Sequence, residues 1–319
     1  MNRTLRSLAR IFIALAPLLP AVSLASTTIE AAREVQCSPV ESDCRAYDAI
    51  VFVHGIYGSS ETFSSGRTGW SWPKDFPPQL SGRKIDVFSL NYRTSLLSWA
   101  KGASPEFDSL AEEAFSAMRP LRIRQYRSIG FIAHSLGGNV VATYLVKAKL
   151  KRGTSGRAQH LYLVTLATPF SGSRVADLGA SIKGSIGIRD DLLDSLKKDN
   201  LYLRMLKGFT LDFKEREHLF DCRPFSLYSA FEMEAMGPFL IVERESAAQT
   251  MKSILKSPAV GFDLDHSAIS KPDGPDHRVA TWVVGRVQDA FEIAKAWDVA
   301  PESQTAESRY CRRATYMPE

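Results

Sequence analysis

Ser135 stands in the stretch Gly130-Phe-Ile-Ala-His-Ser-Leu-Gly-Gly138, between a histidine and two glycines and directly after a short apolar run. A serine so placed can serve as a nucleophile toward an acyl carbon. Its hydroxyl is weak at its free pKa, so that chemistry requires a nearby base, and the base in turn requires an acid to orient it. Six histidines compete for the first role: His54, His134, His160, His218, His266 and His277. Glu232, Glu234, Glu243 and Glu245 cluster late in the chain and compete for the second. Ala133 and Gly137 flank Ser135 at minus two and plus two, which is the G-x-S-x-G pattern with alanine in place of its first glycine. So short a pattern also arises by chance, and the elements around it must decide.

Ile129, Phe131 and Ile132 form an apolar run suited to a strand buried on both faces. Behind the serine, Val140, Val141, Tyr144, Leu145 and Lys149 recur at helical spacing, with Gly153 as a stop signal. The serine therefore sits at a sharp strand-to-helix turn, with a helix N-terminus aimed at it. Similar apolar runs occur at Ala49 to Val53, Ile85 to Leu90 and Leu161 to Leu166, then at Phe225 to Phe231 and Phe239 to Val242. Between them, Ser104-Pro105 opens a helix carrying Phe107, Leu110, Ala114 and Met118, and Val279, Trp282, Val283, Ala290 and Phe291 stripe a last one. Strands alternating with helices predict an α/β fold with a mostly parallel sheet. Ligands of such a sheet lie beyond the carboxyl ends of its strands, where the turns at His54-Gly55, Ser135 and Ala167-Thr168-Pro169 all fall.

With 319 residues the chain is long enough for one large α/β domain. Residues 1–25 stand apart: Arg3, Arg6 and Arg10 precede the apolar run Ile11 to Leu24, and Ser23-Leu24-Ala25 places small residues for cleavage after Ala25. This predicts a secretory signal peptide, since a run of about 15 apolar residues broken by Pro17 and Pro20 is short for a span needing roughly 20. The expected product, residues 26–319, is exported to the periplasm or secreted. Removing three arginines from the formal charge of +5 leaves about +2, which gives no electrostatic footprint for nucleic acid. Cys37, Cys44, Cys222 and Cys311 are an even set in an exported chain and favour two disulfides over a metal site. Of three connectivities, the preferred one pairs Cys37 with Cys44 and Cys222 with Cys311, the second bridge pinning the C-terminal tail at 300–319.

The segments "VFVHGIYGS", "FIAHSLGG", "LATPFSGS" and "DHSAISKP" together resemble a lipase-like branch of the α/β-hydrolases. That branch includes the serine-active-site-containing proteins and the glycosylphosphatidylinositol inositol-deacylases, and the likeness runs over about residues 48 to 295. Phe170 departs from it, standing where many relatives carry histidine after Thr-Pro. The resemblance implies an α/β-hydrolase fold, a mostly parallel central sheet flanked by helices. It also implies the chain order Ser, acid, His, which leaves His266 and His277 as bases. His266 is preferred, because its loop can swing over the sheet edge while His277 opens a helix. The branch often carries its acid directly after the penultimate strand, where Phe231-Glu232 stands, and Glu232 is assigned against Glu234, Glu243 and Glu245. Two backbone donors are needed for the oxyanion. One is the amide of Leu136, and the resemblance places the other at Ile56.

Residues 172–224 are long for a connection in this fold, and their leucines predict a helical insertion, either a cap over the serine or a fixed helical subdomain. The expected activity is hydrolysis of a carboxylic ester of a lipid or other acyl substrate, with no cofactor and with transient membrane-surface contact compatible with such a substrate. An acyltransferase or thioesterase would use the same groups. A non-catalytic ligand-binding protein on the same fold is the reading from a different class.

Overall fold

A computed structural model describes residues 27–37, 44–55, 58–76, 80, 82–92, 107–119, 126–150, 160–170, 225–235, 242, 244–248, 255 and 257–299. Among the described residues seven strands form one sheet: β1 (Thr28–Ala31), β2 (Asp48–Val53), β3 (Ile85–Asn91), β4 (Ser128–His134), β5 (His160–Leu166), β6 (Phe225–Glu232) and β7 (Val260–Phe262). Their order across the sheet is β1-β3-β2-β4-β5-β6-β7. Only β1 runs antiparallel to its neighbour, and every other pairing is parallel. The helices are α1 (Trp72–Asp75), α2 (Phe107–Met118), α3 (Leu136–Leu150), α4 (Arg244–Ala248) and α5 (Arg278–Val299).

Strands β2, β4 and β5 are buried along their whole length, as their unbroken apolar runs require. On the sheet's flanks, Phe52 packs against Phe63, Trp72 and Phe76, and Tyr162 meets Phe291 of α5 edge to face. Phe131 meets Tyr144 of α3 in the same way. Each such fully buried ring stabilises the fold by about 1.5–3 kcal/mol relative to exposure. α5 covers the sheet with Val279, Val283, Val287, Ala290 and Phe291, all buried.

The strand amino ends carry buried carboxylates that hold structure. Asp48 accepts from Arg127 Nε at 3.0 Å and Ser128 Oγ at 2.7 Å. Asp86 accepts from the Tyr126 hydroxyl at 2.9 Å and from the amides of Gln36 and Cys37 at 2.6 and 3.0 Å. Through those amides it anchors the loop that the Cys37–Cys44 disulfide closes. Cys222 and Cys311 lie outside the described residues, as do residues 1–25, the 172–224 insertion and the 300–319 tail.

The expected strand Phe239 to Val242 falls on residues 239–241, which lie outside the described residues, and Val242 sits in a bend. Two described strands were not expected. The strand beside β6 is Val260–Phe262, too short and too interrupted by Gly261 to show a period in sequence. Strand β1, an exposed edge of four residues, likewise lacks the buried face that would reveal it.

The consequence for function lies in the strand order. From β2 the chain crosses to β3 on one side and then to β4 on the other, so the order reverses between β2 and β4. A crevice at the carboxyl ends of these two neighbours is where a sheet of this kind binds ligands.

Candidate active site

Ser135 lies at that crevice, between the last residue of β4 and the first of α3, with φ at +53°. A non-glycine residue in this left-handed region costs about 1–3 kcal/mol and persists only where its surroundings enforce it. Its amide donates to the Leu166 carbonyl at 2.9 Å, and its own carbonyl accepts from Gly138 N at 3.1 Å. The Thr168 hydroxyl donates to that carbonyl at 2.9 Å. The turn also depends on close approach. A β-carbon on Gly137 would collide with the carbonyl oxygens of Val53 and His54, and one on Gly55 would come within 2.7 Å of Ser135 Cβ.

His266 follows β7 in a loop shaped by Asp265, whose Oδ1 accepts from the amides of Ser267 and Ala268 at 2.9 and 2.7 Å. This Asx turn aims the imidazole back over the sheet. His266 Nδ1 donates to Glu232 Oε2 at 3.2 Å, and Nε2 accepts from Ser135 Oγ at 2.9 Å. Glu232 ends β6, is fully buried, and accepts from the Val242 amide through Oε1 at 2.5 Å. Three groups from three separate segments thus form one hydrogen-bonded chain. Ser135 is 1 % exposed and His266 7 %, which shields the chain from water and strengthens its electrostatics.

The competing residues stand elsewhere. Glu234 is exposed, Glu245 lies on α4 and not at a strand end, and Glu243 lies outside the described residues, as does His218. His277 abuts α5, where its Nδ1 faces the Val279 amide at 3.4 Å. His160 sits at the amino end of β5, 3.3 Å from Ser226 Oγ.

Leu136, the first residue of α3, directly follows Ser135, so its amide belongs to a helix N-terminus that favours negative charge. Ile56 lies outside the described residues, but the glycines on either side of its turn are placed. Gly58 N donates to the Gly55 carbonyl at 3.2 Å. That carbonyl also accepts from His54 Nδ1 at 2.8 Å, while His54 Nε2 accepts from the Tyr92 amide at 3.3 Å. His54 stacks on Tyr92 with ring centroids 4.5 Å apart, and burial lowers its pKa, keeping it neutral. His54 therefore shapes the turn and is not free to act as the base.

In the sequence reading His134 stands only among the competing bases, and Thr168 and Asp265 receive no role. Only Asp265 leaves a local trace there, as an aspartate two positions before a serine in a loop.

A similar fold occurs in a carboxylesterase from the thaumarchaeon Nitrososphaera gargenis. The two share 11% identity at a TM-score of 0.50, over 83% of this chain and 95% of that one. The chain has the α/β-hydrolase fold. Residues 46–189 match the family described as "Putative serine esterase (DUF676)". Other similar folds include the mature lipase BlEst2 of Bacillus licheniformis, at 17% identity and a TM-score of 0.42 over 76% of this chain and 92% of that one. The naproxen esterase of Bacillus subtilis follows at 12% and 0.41, over 77% and 84%. No curated protein matches the chain in sequence. The family match includes Ser135 but ends before Glu232 and His266, so the placing of those two rests on the geometry.

Proposed function

We propose that the protein is an exported serine esterase that cleaves a carboxylic ester of a lipid or other acyl substrate through an acyl-enzyme. The observation that carries this reading is the unbroken chain Ser135 Oγ to His266 Nε2 and His266 Nδ1 to Glu232. In the first step Ser135 Oγ attacks the ester carbonyl carbon while its proton passes to His266 Nε2. Glu232 keeps Nδ1 protonated and stabilises the imidazolium. The oxyanion is met by the amide of Leu136 and, from the turn after β2, that of Ile56. Collapse of the tetrahedral adduct breaks the carbon–oxygen bond to the alcohol, which leaves with the proton from His266. Water then attacks the acyl-enzyme by the same route, releasing the acid and restoring the serine.

Export rests on the arginine-led apolar segment at residues 1–25. Among the described residues no helix is long and apolar enough to cross a membrane. Two measurements test the reading. Purified protein should hydrolyse p-nitrophenyl esters with a burst of about one equivalent of nitrophenol when deacylation is slow. Protein made in a secreting host should begin at Ser26 by intact mass. Absence of ester turnover over acyl chains from acetate to palmitate would contradict the activity, and a full-length chain in the membrane fraction would contradict export.

A further inference from the structure

His134 precedes Ser135 and ends β4. Its Nε2 lies 2.7 Å from the backbone carbonyl of His266. A carbonyl only accepts, so Nε2 carries the proton and donates. Nδ1 then holds the lone pair of the neutral ring, and it is buried with no hydrogen-bond partner among the described residues. The ring lies 4.9 Å from that of His266, centroid to centroid. Burial, followed by the proximity of His266, holds the His134 pKa well below its usual value, with smaller contributions from Lys271 and His54.

We infer that His134 is a positioning residue that latches the loop of His266 to the end of β4, fixing the imidazole where it reaches both Ser135 and Glu232. The inference rests on the proposed roles of those three residues. The bond from His134 acts on the backbone of the residue whose two ring nitrogens must meet separate partners at 2.9 and 3.2 Å. A displacement of about 1 Å in such a group typically costs on the order of 100-fold in rate. The unpartnered Nδ1 argues against a merely structural role. A buried acceptor without a donor opposes folding, and an apolar residue of similar volume would fill the space without it. Local rules broken in this manner concentrate at functional sites. Because the ring stays neutral, it adds no positive charge beside the imidazolium formed on His266.

The test compares His134→Leu, which keeps volume and deletes the donor, with His134→Gln, whose amide nitrogen can donate from a similar reach. His134→Leu should lower kcat and the fluorophosphonate labelling rate by about 100-fold, with KM within about threefold and Tm unchanged or raised. The low-field proton resonance of His266 Nδ1–H should broaden or vanish in His134→Leu. His134→Gln should recover most of the rate and the resonance. A His134→Leu enzyme with kcat within about threefold of the parent overturns the inference, as does a loss that tracks a fall in Tm and is not recovered by glutamine. Ser135→Ala, measured alongside, separates the two levels: an inert Ser135→Ala beside a fully active His134→Leu removes the latch alone, while an active Ser135→Ala removes the underlying reading.

Discussion

Ser65 Oγ donates to Asp273 Oδ1 at 2.6 Å, joining the segment that follows the glycine turn to the segment that follows His266. Thr68 Oγ1 adds a bond to the Asp273 carbonyl at 2.9 Å, Arg67 pairs with its carboxylate, and Ser270 Oγ donates to the Thr62 carbonyl at 3.1 Å. Arg67 and Ser65 hold the Asp273 carboxyl down at about 2, so it stays ionised throughout the working range of an esterase. The Arg67 side chain is 75 % exposed, and an ion pair of that kind adds little to stability. Asp273→Ala should therefore leave Tm almost unchanged while lowering kcat/KM by roughly tenfold through drift of the His266 loop. Steady-state kinetics beside a melting curve decide this, and an unchanged kcat/KM would mean that the loop needs no such clamp.

Among the described residues, Glu232 is the one competing glutamate bonded to His266. Glu232→Gln keeps the shape but can no longer stabilise the imidazolium, so kcat should fall by about 10³- to 10⁴-fold with KM little altered. Glu234→Gln and Glu245→Gln should each cost less than about tenfold. A crippled Glu245→Gln beside a nearly silent Glu232→Gln would assign the acid elsewhere.

Burial keeps both His54 and His134 neutral in the folded state, with pKa values below the ordinary one. The unfolded chain takes up protons on these rings from about pH 6.5 downward, so there the unfolded state binds more protons than the native state. Their contribution to stability is complete above about pH 6.5 and is lost as pH falls toward the folded-state values. Tm followed from pH 8 to pH 5 should decline below about 6.5, less steeply for His134→Leu than for the parent. Parallel curves for the two proteins would show that His134 is not held neutral.

The fold was legible because the apolar runs of β2, β4 and β5 are buried on both faces and so are continuous in sequence, and because a glycine-flanked serine between strand and helix has few structural uses. Val260–Phe262 was not legible: three residues with a central glycine carry no period. Of the apolar run Phe239 to Val242 only Val242 is described, and its amide binds Glu232. The latch from His134 to the carbonyl of His266 spans 132 positions and runs to backbone, so no pattern of residue types could reveal it. Ile56 was proposed from resemblance alone and lies outside the described residues.

The central claim is that Ser135 is the nucleophile, and covalent labelling reports on it directly. Incubation with a fluorophosphonate, followed by intact mass and peptide mapping, should give one adduct per chain, located on Ser135 in the peptide that spans β4 and α3. Ser135→Ala should take up none, keep a parent-like melting curve, and lose ester hydrolysis by on the order of 10⁴-fold or more. An adduct on another serine, or a Ser135→Ala protein that labels and turns over like the parent, would contradict the account.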